Sequence, residues 1–255
     1  MTNEQILEIA LAQQAIDSSC VPADFRRHTP VVVVSQKLPG ARRYLQQLPF
    51  FCDLVSYGSN IVASVDARIA GFITEFIGSR KPHECFEPQE IRLLNREFAP
   101  YGATVRHAAE YYWLPDVNCL CALPCAYETR LLTPPDFVPL YRPEWGNALC
   151  ADRAELDVLG VGAYDGGQLI GLAACSADGE NMWQIGIDVL PEYRRQSVAA
   201  ALTSCLAIEI ITREKVPFYC CNWANIGSAR NAIRSGFRPA WAALAALMDA
   251  EEVQN

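Results

Sequence analysis

The chain has 255 residues, 51% hydrophobic and 20% charged, with a formal net charge of -8 and a pI near 5.0. That supplies core material for one large domain or two ordinary ones. It also argues against a nucleic-acid partner, because neutralising phosphates takes a lysine and arginine surplus that is missing here, whereas a cationic or amine-bearing partner suits the charge. The opening "MTNEQILEIALAQQ" has neither a basic n-region nor an apolar h-region, and no stretch reaches the ~18 consecutive apolar residues of a spanning helix. The expectation is a cytoplasmic protein, outside the membrane, with its eleven cysteines reduced.

In chain order, the pattern predicts a loosely amphipathic helix over 3–18, a buried strand at "VVVVS", apolar helical runs near 66–77 and 88–98, and a strand in "ATVRHAAEYYWL". The proline-bearing "LPDVNCLCALPC" reads as a boundary, giving an N-terminal α+β domain over 1–120 and a second domain over 126–255. Within it Cys119, Cys121 and Cys125 lie close together. A closed zinc site takes four ligands, usually from paired C-x2-C knuckles, and no histidine is near, so they read as small hydrophobes on a strand and turn, with no metal expected. His28, His83 and His107 are isolated and read as surface or satisfied core residues. There is no internal repeat or low-complexity segment.

The second half is more regular. "YETRLL" reads as a strand and "TPPDFVPLY" as a proline-started helical turn. "VLGVGAYDGGQLIGLAACSADGENMWQIGIDVL" then gives three apolar runs separated by "DGG" and "ADGEN", the turn chemistry of an antiparallel meander. Val198, Leu202, Leu206 and Ile210, with Cys205, form one apolar stripe of a helix over about 198–210. "VPFYCCNW" is a short buried strand, and a helix over 225–235 follows with Ala229, Ala232 and Ile233 as its apolar face and Gly236 as its C-cap. A further strand to about 248 completes a β-α-β-β-β-α-β-α-β order, one α/β layer domain.

Chemistry enters at "PEYRRQSVAAAL". A helix entered from a tight turn offers unpaired N–H groups and the positive end of its dipole, which together attract anions. Arg194 and Arg195 add charge there; spacing alone favours the other reading, two solvated arginines in a strand-to-helix loop, because such loops are common in α/β folds.

The stretch "IDVLPEYRRQSVAAAL" resembles the acetyl-CoA loop of the GNAT N-acetyltransferase superfamily, a strand ending V-x-P followed by R/Q-x-x-G-x-G/A. Val189, Pro191, Arg194, Ser197 and Ala199 carry the match, with serine in place of the first glycine. "NIGSARNAIRSGF" is similar to a second motif of that family, N-x-x-A-x-x-L-Y-x-K-x-G-F, through Asn225, Ser228, Arg234, Gly236 and Phe237. The resemblance covers about 126–250. It implies a GNAT-like α/β fold for that half, a mixed and mainly antiparallel sheet flanked by helices, preceded by the smaller α+β domain, which would then cover the acceptor side.

The resemblance further implies acetyl-CoA as co-substrate and assigns residues to it. The amides of Arg195, Gln196, Ser197, Val198, Ala199 and Ala200 would hold the pyrophosphate, with Arg194, Asn225 and Ser228 also on the cofactor. Ser197 fits this role where φ stays below zero. The pantetheine arm would pair with backbone near Ile187, Asp188 and Val189, and the amides of Gly186 and Ile187 would face the developing oxyanion. Two proton-transfer positions depart from the family: Cys220 stands where some members have glutamate, and Ala232 where tyrosine commonly serves as acid. That leaves Asp188 as the nearest carboxylate and the catalytic candidate, with a strand-end surface acid as its other reading. Tyr219 and Tyr193 are substitute proton donors, and Tyr219 and Trp223 either line the acceptor site or belong to the core.

The function implied is acetyl-CoA-dependent transfer to a primary amine of a small molecule or peptide, by direct attack in a ternary complex. The alternative is a module that binds coenzyme A or an acyl-CoA without transfer, suggested by Ser197 and the missing proton-transfer groups. A third reading is an acyltransferase for longer chains. The acceptor and the oligomeric state do not follow from the sequence.

Overall fold

The computed structural model describes residues 1–42 and 48–249, apart from the side chains of 107–110, His107 among them. Along the first half run α1 (Asn3–Asp17), β1 (Val31–Val34), β2 (Cys52–Ser56), β3 (Val62–Val65), α2 (Ala70–Gly78), α3 (Pro88–Phe98) and β4 (Ala103–Pro115). The second half holds β5 (Glu128–Leu132), α4 (Pro134–Phe137), β6 (Asp157–Asp165), β7 (Gln168–Ser176), β8 (Met182–Val189), α5 (Val198–Thr212), β9 (Val216–Asn222), α6 (Ile226–Arg234) and β10 (Phe237–Met248).

These elements gather into two units, each built from two stretches of chain: Met1–Ala10 with Trp113–Pro239, and Leu11–Tyr112 with Ala240–Asn255. The sequence reading instead draws one cut near 120. The division falls inside α1, β4 and β10, so neither unit is a continuous segment. Residues 250–255, part of the expected second domain, lie outside the described residues.

In the unit of Leu11–Tyr112 the strand order is β1-β3-β2-β10-β4. β1 is parallel to β3, while β2 is antiparallel to both β3 and β10. Leu54, Ala63, Ile73, Phe76, Leu94 and Phe98 form its core. β1 is only half-buried and exposes Val34, against the buried strand expected there. β2 and β3 went unforeseen, because both are buried at every position and show no alternation.

In the other unit β5, β6, β7 and β8 form the expected antiparallel meander, and β9 joins β8 in parallel. Gly166 and Gly167 close its first hairpin with φ of 54° and 88°, values that L side chains rarely adopt. α5 packs on the meander through Val198, Leu202, Leu206 and Ile210, the stripe read from the sequence. It also buries Thr203 and Ser204, and both hydroxyls are satisfied: Asn231 Nδ2 donates to Thr203 Oγ1 (3.1 Å) and the Leu123 amide to Ser204 Oγ (3.2 Å). α6 buries Ala232 but exposes Ile233 at 59%, correcting the apolar face expected for it. Gly236 follows with φ 88°, and a Cβ there would stand 2.8 Å from Leu120 Cα, so both backbone hand and close approach require glycine. Among the described residues no helix is long and apolar enough to cross a membrane.

Candidate functional site

β8 and β9 pair at Met182↔Val216, Trp183↔Pro217 and Gln184↔Phe218, and there the pairing ends although β8 runs on to Val189 and β9 to Asn222. On its other side β8 stays paired with β7 as far as Gly171↔Val189. The strands therefore part beyond Gln184, leaving one edge of Ile185–Val189 with backbone donors and acceptors open to a ligand. Strand alternation puts Ile185, Ile187 and Val189 on the face packed with α5, and Gln184, Gly186 and Asp188 on the opposite face.

Residues 147 and 148 cross that opposite face. The Asp188 carboxylate accepts from the Asn147 amide (2.8 Å), Asn147 Nδ2 (2.7 Å) and the Ala148 amide (3.0 Å). A Cβ on Gly186 would collide with the Asn147 carbonyl oxygen, so only glycine admits this crossing. Asp188 thus engages both of its oxygens in anchoring a loop.

The chain then turns into α5. Arg195 has φ 62° and Ser197 φ 66°, ψ 7°, so position 197 lies in the left-handed region rather than below zero as the sequence reading required. The first helical bond runs from the Ala201 amide to the Ser197 carbonyl, which leaves the amides of Val198, Ala199 and Ala200 without helical acceptors at the positive end of the dipole. Side chains brace the turn: Arg194 Nε donates to the Val189 carbonyl (3.0 Å), and Gln196 accepts from Tyr127 Oη (2.7 Å) while donating to the Glu192 carbonyl (3.2 Å). Arg234, at the end of α6, donates to Ser197 Oγ at 2.8 Å. In the sequence Arg234 is a match to the second motif only; its reach to this turn depends on the tertiary fold, which brings α6 to the start of α5. With Arg194 and Arg195 it forms an exposed cationic rim suited to phosphate.

Asn225 and Ser228 have local partners. Asn225 Oδ1 caps α6 by accepting the Ser228 amide (3.1 Å), and Ser228 Oγ lies 2.7 Å from Tyr219 Oη. Burial pushes the Tyr219 phenol above its ordinary value, and Tyr193, which donates to Asp165 (3.1 Å), is raised by that carboxylate bond, so both are poorer acids than a free tyrosine. Ala232 is fully buried in the core with α5. Trp223 is exposed at 54%, which removes it from the core. Cys220 Sγ accepts from Gln184 Nε2 at 3.1 Å. Among the described residues no group of three or more His, Cys, Asp or Glu is placed to hold a metal. A cavity of about 670 Å³, lined by Met1, Glu4, Glu8, Ile211 and Glu214 among others, lies at the far end of α5, roughly 20 Å from its first turn.

The last strand of the meander parts from a parallel neighbour and leads into a helix that begins with open amides and cations, the arrangement that the resemblance of the two motifs implies. Residues 125–227 match the model of the Acetyltransferase (GNAT) family. Similar solved structures include a GCN5-related N-acetyltransferase-like protein from Streptococcus suis, 18% identical over 62% of this chain and 68% of that one, with a TM-score of 0.45. Another is a GCN5-related N-acetyltransferase from Sphaerobacter thermophilus, 14% identical over 73% and 71%, with a TM-score of 0.46. No curated protein matches the chain.

Proposed function

We propose that the chain transfers the acetyl group of acetyl-CoA to a primary amine of a small molecule or peptide, by direct attack in a ternary complex. The observation that carries this is the parting of β8 and β9 beyond Gln184 and Phe218, beside the open amides at the start of α5. These residues fit the co-substrate. The exposed edge of Ile187–Val189 matches an extended amide-bearing arm, and the amides of Val198, Ala199 and Ala200, with Arg194, Arg195 and Arg234 around them, match a pyrophosphate. When bound, acetyl-CoA supplies an activated thioester.

The chain's own part is positioning. The Asp188 anchor fixes Asn147 and Ala148 over Gly186, shaping the face opposite α5 from which an amine would arrive. Asp188 is better placed as this anchor than as a base, because three donors already occupy it. As the C–N bond forms and the C–S bond breaks, the amine gives up its proton to solvent and the departing thiolate takes one from solvent in this reading, since Asp188 is engaged, Ala232 has no proton to give and Tyr219 and Tyr193 are bonded elsewhere. Thiol release from acetyl-CoA in the presence of a primary-amine panel tests the proposal, with coenzyme A binding measured separately by calorimetry. Binding without turnover would instead support the non-catalytic coenzyme A module, the reading favoured by the engaged Asp188 and buried Ala232.

A further inference from the structure

Gln184 is the last residue of β8 paired with β9, at the narrow end of the opening and on the face of Gly186 and Asp188. Its Nε2 donates to Cys220 Sγ at 3.1 Å. Its Oε1 is buried and has no hydrogen-bond partner among the described residues. A buried amide oxygen left unpaired is costly, and the natural remedy is a donor that arrives with a ligand. Because Nε2 is engaged with the Cys220 thiol, the oxygen is the atom of this side chain that is left without a partner.

We propose that Gln184 Oε1 accepts a hydrogen bond from the incoming amine and orients it, with Cys220 as the positioning residue that holds the amide in this orientation. This rests on the amine-acceptor reading above and deepens it. A neutral carbonyl oxygen does not remove the proton. It selects N–H donors and directs the amine lone pair by fixing one N–H. An acceptor without an N–H, such as a thiol or a tertiary amine, gains nothing from it.

The test uses the full chain, saturating acetyl-CoA and four probe amines: methylamine, phenethylamine, spermidine and a lysine-containing peptide. Thiol release is compared across the wild type, Gln184→Leu, which removes the oxygen, and Gln184→Glu, which keeps one. Gln184→Leu is expected to raise KM for the best amine about tenfold, the loss of one buried hydrogen bond, with kcat changed less than about threefold and coenzyme A affinity within about twofold. Gln184→Glu is expected to restore KM. Should Gln184→Leu fail to fold, Gln184→Met is measured the same way. An unchanged amine KM in a folded oxygen-free variant overturns the inference and assigns the oxygen to an internal water. An active wild type beside an indifferent variant sinks this inference alone, whereas a wild type that binds coenzyme A but transfers to none of the four amines sinks the amine-acceptor reading with it.

Discussion

Ser197 holds a left-handed conformation that costs a non-glycine residue roughly 1–2 kcal/mol, partly offset by its bond to Arg234. Ser197→Gly is therefore expected to stabilise the protein by about 1 kcal/mol and raise the melting temperature by about 2–4 °C. A lower melting temperature would mean that the Arg234 bond outweighs the strain. Ala232→Tyr has the opposite sign. The side chain faces a packed core, so the ring is expected to cost about 1–3 kcal/mol in a denaturant titration and to bring no gain in transfer rate. Asp188→Asn replaces an acceptor-only carboxylate that faces three donors with a side chain carrying an NH2 donor of its own, so activity is expected to fall as the 147–148 loop loosens, without displacing the acidic limb of the pH–rate profile. A displaced limb would make Asp188 the base. At this scale the sequence was only partly legible. The motifs located the loop, but the hand of residue 197 and the partners of Asp188 depend on backbone torsion and on Asn147, forty-one residues away.

The helices and hairpins were far more legible, because their causes are local. "DGG" sets the β6–β7 turn, spacing of four sets the buried stripe of α5, and Gly236 ends α6. β2 and β3 escaped because strands buried on both sides lose the alternation that marks a strand, and Ile233 misled because an apolar residue on α6 has no obligation to be covered. The element that carries the proposed chemistry is the first turn of α5, and its amides are testable without touching a side chain. Ala199→Pro deletes an N–H that makes no helical bond, at a position where the first turn tolerates proline. Coenzyme A affinity is expected to fall at least about tenfold by calorimetry, with helical content by circular dichroism unchanged. Retained affinity in the folded variant would remove the amides from the phosphate seat.

The molecule as a whole is divided differently from the single cut that the proline-bearing segment suggests. The unit holding the motifs also takes in Met1–Ala10 and the stretch from Trp113. Asn3 Nδ2 donates to Asp116 (2.7 Å) and its Oδ1 accepts the Val117 amide (2.9 Å), Trp113 enters the core with Leu206 and Phe237, and Leu120 packs against Gly236. A fragment beginning at Ala126 lacks all of these and is expected to be largely unfolded by circular dichroism and rapidly cleaved in limited proteolysis; a protease-resistant fragment that binds coenzyme A would show the earlier residues to be dispensable. Nothing in local pattern announces such an arrangement, since it depends on which distant strands pair. The central claim is that this unit moves an acetyl group to an amine, and the most direct measurement is mass spectrometry of the full chain's products from acetyl-CoA and a panel of primary amines. The account predicts an N-acetylated amine formed in step with free coenzyme A. A folded protein that binds coenzyme A and yields no acetylated amine from any member of the panel would contradict it.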